Sequence, residues 1–116
     1  MKDYTPYLSP IDAALPAMRE ALLRLAHINS GSFNAAGVTA MAETMREIFA
    51  PLQASSELLT LDAHQSVNDS GQSITRPIGK ALRLRLRPDA PLQVFFCGHL
   101  DTVFAADHPF QTVREL

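Results

Sequence analysis

The sequence predicts an α/β fold in which two amino-terminal helices pack on a three-stranded mixed sheet. Three observations carry that expectation. Apolar residues recur at spacings of three and four through the first half of the chain, the period of an amphipathic helix. From about residue 57 the period falls to two, that of a half-buried strand. Then Leu92-Gln93-Val94-Phe95-Phe96-Cys97, rich in Val and Phe and ended by Gly98, has the composition of a core strand.

Met1 to Ser9 reads as an irregular lead-in, because Pro6 and Pro10 fall close together. Ser9-Pro10 then supplies a cap followed by proline in the first helical turn. Leu15, Met18, Leu22, Leu25 and Ile28 form the core stripe of this first helix, and Pro16 sets its regular part to begin just before that residue. Asn29-Ser30-Gly31-Ser32 ends it with turn chemistry. A second helix is expected from about Ala36 to Leu52, with Asn34 as its cap and Pro51 near its end. Its apolar face is Val38, Met41, Met45, Ile48 and Leu52, with the methionines filling core space rather than binding a cofactor.

Leu59, Leu61 and Ala63 alternate with Thr60, Asp62 and His64, so a first strand is expected from about Glu57 to Gln65. Val67 to Lys80 is polar and reads as a turn region whose tip is Asp69-Ser70-Gly71. The second strand is Leu82-Arg83-Leu84-Arg85-Leu86-Arg87, leucines toward a core and arginines toward water. These two form an antiparallel hairpin, and Pro88-Asp89 and Pro91 turn the chain into the third strand, Leu92 to Cys97. The arginine face attracts phosphates in principle. With no aromatic residues interleaved it reads instead as a solvated face that discourages edge-to-edge pairing.

At 116 residues the chain is one domain at most. With 47% hydrophobic and 19% charged residues it is an ordinary globular composition. A net charge of −2 gives no electrostatic reason to expect nucleic acid or an acidic membrane surface as partner. One cysteine rules out an internal disulfide framework. The amino terminus has no apolar targeting core and no stretch approaches a membrane span, so the expected location is cytoplasmic.

Chemistry concentrates where the apolar run meets a polar turn, Gly98-His99-Leu100-Asp101-Thr102. In open α/β sheets ligands sit just beyond the carboxyl ends of strands. Two residues apart on extended backbone, His99 and Asp101 project to the same side. A neutral imidazole is the commonest metal ligand and needs a second group to fix its tautomer. The bland alternative is a loop histidine beside an aspartate that caps the turn. Cys97 shares their parity, which permits a thiolate–imidazole dyad on paper, but a free cysteine at a strand end reads as a packed core residue. His27, His64 and His108 read as structural or solvent-facing.

Gly98-His99-Leu100-Asp101-Thr102-Val103-Phe104 after an apolar run resembles the first metal-binding motif of the zinc aminoacylase, carboxypeptidase G and acetylornithine deacetylase family of dizinc metallopeptidases. The resemblance extends to Ile28-Asn29-Ser30-Gly31-Ser32 and to Gly37-Val38, so it covers most of the chain and implies that residues 1–116 are the amino-terminal portion of such a catalytic domain. It implies that His99 binds one of two zinc ions and that Asp101, counted with the catalytic residues, holds the imidazole in place. It implies hydrolysis of peptide or N-acyl amino acid amide bonds, glutamate carboxypeptidase-like, by a metal-bound water. It also allows a homodimer at full length.

The family's bridging aspartate, adjacent glutamates and last histidine come later than this motif, and Asp107 and Glu115 match none of them. The expectation is an amino-terminal part of a zinc-dependent amidohydrolase, inactive by itself, with zinc held weakly because one histidine cannot complete a tetrahedral site. The alternative from another class is a non-catalytic interaction module that docks through an exposed half-sheet. A small cysteine or metal enzyme complete in itself ranks behind both.

Overall fold

Residues 2–114 are described by the structure, a computed structural model. Its elements in order are α1 (Thr5–Ala26), α2 (Ala35–Ile48), a single 3-10 turn (Ala50–Leu52), β1 (Ser55–Leu59), β2 (His64–Val67), β3 (Ser73–Arg76) and β4 (Ala81–Arg85).

The first helix starts earlier than its prolines suggest. Asp3 Oδ1 accepts the Thr5 amide at 2.9 Å, and Pro6 occupies the first turn, where a missing N–H leaves no carbonyl unpaired. Pro10 and Pro16 lie inside the helix. Their fixed φ suits a helix, and the carbonyls they leave unpaired belong to exposed residues, Pro6 and Asp12, which water can serve. The expected irregular lead-in up to Ser9 is therefore helical from Thr5 onward.

The stripe on α1 is real, but it is not a core. Leu15, Met18 and Leu22 are each more than half exposed, and α1 has no buried residue. Near its carboxyl end α1 meets α2, Arg24 pairing with Glu47, and Leu25 there and Ile28 just past the helix are half-buried.

The core sits under α2. Asn34 caps it, its Oδ1 accepting the Gly37 amide at 3.1 Å. Val38, Met41 and Ala42 are buried, and the helix packs on β4 and β1. Gly79 passes so close that a Cβ there would stand 2.5 Å from Val38 Cβ. Beside it the Lys80 amide donates to Thr39 Oγ1 at 3.1 Å, which fixes where β4 begins against the helix.

β1 and β4 are antiparallel, with Leu58 opposite Leu82 and Glu57 opposite Arg83. The leucine pair lies half-buried on one face, and Glu57 and Arg83 form an ion pair on the other. β2 and β3 are antiparallel as well, with Ser66 opposite Ile74. The expected hairpin thus exists, but it is an interrupted ribbon of two two-stranded sheets, not part of a three-stranded mixed sheet.

Two boundaries move accordingly. The single strand from Glu57 to Gln65 divides into β1 and β2, and the supposed turn region from Val67 to Lys80 contains β3. Its tip falls where the sequence places it: Asn68 Oδ1 accepts the Ser70 and Gln72 amides, and Gly71 takes φ 75°. β3 was hidden by its polarity, since Ser73, Thr75 and Arg76 are polar and exposed.

The third strand does not form. Among the described residues, Leu92 to Cys97 takes part in no ladder, and Leu92, Val94, Phe95 and Phe96 are 78, 66, 88 and 88% exposed. Cys97 is exposed too, not packed in a core. The reason is physical. A run that is apolar on both faces needs cover on both and pairing along its edges, whereas the four strands here pair off two by two. Gln93 instead turns back, its Nε2 donating to the carbonyls of Arg87, Pro88 and Ala90. The arginine face is solvated, with Arg83, Arg85 and Arg87 exposed. Among the described residues no helix is long and apolar enough to cross a membrane.

Candidate functional site

The turn after α1 and the segment after residue 100 are stitched together by an isolated parallel bridge, Gly31 to Thr102. The Thr102 amide donates to Ser30 O at 2.8 Å, and the Ser32 amide donates to Thr102 O at 3.1 Å. Asn29 extends the seam. Its Nδ2 reaches Phe104 O (3.2 Å), Ala105 O (3.3 Å) and Gln111 Oε1 (3.0 Å), while its Oδ1 accepts from the Gly31 amide and from Asn34 Nδ2. Gly31 is required by the closeness of this approach, because a Cβ would stand 2.5 Å from Phe104 O.

That seam presents His99 and Asp101. His99 Nδ1 lies 3.2 Å from Asp101 Oδ1, and Asp101 Oδ2 accepts the Ser32 hydroxyl at 2.6 Å. The two side chains are 93% and 37% exposed, so the imidazole stands in water with its carboxylate half-sheltered behind it. The Ser32 hydroxyl, and after it His99, hold the Asp101 carboxyl below the usual carboxylate range. Asp101 is then ionised at neutral pH and can only accept, so the proton it shares with the ring belongs to Nδ1. With the ring neutral, the lone pair is left on Nε2 of a side chain that is almost fully exposed.

The other sequence candidates stand elsewhere. His108 Nδ1 accepts the Phe110 amide at 3.0 Å and its ring lies against Phe104, so it folds the end of the described chain. His64 leans on Phe33, over which Arg76 also sits at 4.7 Å, and this pins the base of β2 and β3 to the Ser32 turn. His27 caps α1 through its backbone. Asp107 and Cys97 do not join His99. Among the described residues no group of three or more His, Cys, Asp or Glu could hold a metal ion. Two shallow clefts, one lined by Arg46, Phe49 and Leu84 and the other by Tyr4 and Tyr7, also leave His99 outside.

The donor set therefore fits one metal ligand with its orienting carboxylate. It does not fit a closed zinc site, which takes three or four protein donors, and no hydrolytic step follows from these residues alone. Ser32 is the participant that sequence reasoning missed. Asn29-Ser30-Gly31-Ser32 reads locally as a helix stop, and no local pattern points to a carboxylate 69 positions away.

No family model matches the chain, and no curated protein or solved structure is found to be similar to it.

Proposed function

We propose that this chain is the amino-terminal part of a zinc-dependent peptidase or amidohydrolase acting on peptide or N-acyl amino acid amides. In this reading His99 is one zinc ligand and Asp101 is the carboxylate that orients it. The observation that carries the reading is the exposed imidazole whose Nδ1 is engaged by Asp101 and whose Nε2 has no hydrogen-bond partner among the described residues. This is the arrangement of a metal-binding histidine with its outer-shell carboxylate. The motif from Gly98 to Phe104 supports it from the sequence side. In the completed protein the zinc ions would supply an activated water, and what His99 and Asp101 contribute is a fixed donor atom.

The test has two arms. The chain alone should bind zinc no more tightly than micromolar, by competition with a chromogenic chelator, and should hydrolyse no N-acyl amino acid. The coding sequence beyond codon 116 should continue in frame into an aspartate-bearing glycine-rich turn and a Glu-Glu pair. Sub-micromolar zinc with amidase activity from the chain alone, or a downstream sequence without such segments, contradicts the proposal.

A second reading, a non-catalytic interaction module, is favoured by one observation, the exposed apolar run from Leu92 to Phe96. It predicts a stoichiometric hetero-complex that survives His99→Ala and is lost in Phe95→Asp. Disordered aggregation of the purified chain argues against it.

A further inference from the structure

We infer that Ser32 is a positioning residue for His99, acting through Asp101 to select which ring nitrogen carries the proton. The inference deepens, and rests on, the reading of His99 as a donor.

The geometry is a three-member chain. The Ser32 hydroxyl donates at 2.6 Å to one oxygen of Asp101, and the other oxygen faces His99 Nδ1 at 3.2 Å. An aspartate carboxylate turns broadly about χ2 unless one oxygen is held. With Oδ2 anchored by Ser32, Oδ1 is aimed at the ring. The anchor is itself fixed, because the Ser32 amide is bound to Thr102 O, the carbonyl next in sequence to Asp101. The hydroxyl and the carboxylate thus come from opposite sides of the parallel bridge, whose close approach leaves no room for a Cβ at Gly31.

The consequence is chemical. A free neutral imidazole prefers the proton on Nε2, the opposite of what an outward-facing donor needs. An ionised acceptor at Nδ1 reverses the preference, and charge-assisted hydrogen bonds are strong enough to do so on an exposed ring. Ser32 keeps that acceptor in place. A purely structural role, with the hydroxyl closing the bridge through its 3.3 Å approach to Thr102 O, would leave the tautomer untouched.

The experiment uses the full chain, nitrogen-15 labelled at histidine and held at a pH where the rings are neutral. Long-range proton–nitrogen correlations report the Nδ1-protonated fraction of His99, and hydrogen exchange of the Thr102 amide reports the bridge. The wild-type chain and Ser32→Thr should show His99 mainly protonated on Nδ1. Ser32→Ala should move the majority to Nε2 while Thr102 protection stays within about threefold. An unchanged tautomer in Ser32→Ala overturns the inference. So does a change that Ser32→Thr fails to reverse, or one that comes only with loss of Thr102 protection. Zinc response of wild-type His99 is a separate readout. A ring that ignores zinc removes the donor reading, and the tautomer result stands or falls on its own.

Discussion

Ser30 is fully buried, and its hydroxyl has no hydrogen-bond partner among the described residues. An unpaired buried hydroxyl costs about 1–3 kcal/mol relative to a paired one. Ser30→Ala removes the unpaired group without touching the backbone carbonyl that holds Thr102. It should leave stability unchanged or raise it by up to about 1 kcal/mol in urea denaturation, and a loss of that size would mean that the hydroxyl has a partner in solution. Asp101 gives the seam a pH dependence of known sign. Its carboxyl titrates lower in the fold than its ordinary 3.8, chiefly through Ser32. The stabilisation it contributes is therefore present above that value and disappears as pH falls through the lower folded one. Hydrogen exchange of the Ser32 and Thr102 amides should accelerate on acidification in the wild type, beyond the intrinsic pH effect, and lose that step in Asp101→Asn.

At the scale of elements, the fold was legible where a side-chain pattern and its partner lie close in sequence. α2, its Asn34 cap, the hairpin tip at Gly71 and the leucine–arginine alternation of β4 were all readable, because each is decided within a few residues. The failures have one cause in common. The stripe of α1 and the run from Leu92 to Phe96 have the composition of buried elements, but composition does not say what would bury them. The seam between residues 29–32 and 101–105 was invisible for the same reason, since its bonds join positions some 70 apart, such as Ser32 and Asp101 at 69. His99 and Asp101 were legible as a pair because they are two apart. Gly31 tests the seam directly. In Gly31→Ala the new methyl meets the backbone at Phe104 O, and a backbone contact of 2.5 Å cannot be relieved by a rotamer change. The expected outcome is a loss of about 1–3 kcal/mol with release of Thr102 protection and sparing of the α2 core amides. Equal protection in both forms would mean that the seam contributes little.

The whole molecule is open for its size. A chain of this length usually has a radius of gyration near 13 Å, against 18.2 Å here. Its accessible surface of 9816 Å² exceeds by about 3,600 Å² what a folded chain of 12.7 kDa exposes. On one chain alone that excess is as large as many obligate interfaces are when both partners are counted, and its exposed apolar residues include Leu15 and Leu22 of the α1 stripe and Phe95 and Phe96 of the run. The isolated chain should accordingly self-associate with rising concentration and bind a hydrophobic dye. Phe95→Asp combined with Phe96→Lys should reduce both, by light scattering and dye fluorescence. A monodisperse monomer at high concentration that does not bind the dye would show that this surface is covered in solution.

Of the four histidines, His99 is the one we propose as a metal donor, with the Asp101 carboxylate at its Nδ1. The most direct measurement is a zinc titration of the full chain followed through the ring proton resonances of all four histidines. His99 should shift first, at micromolar or weaker zinc, and Asp101→Ala should abolish its lead. A His99 resonance that stays still while others move, or four rings that respond alike, would contradict it.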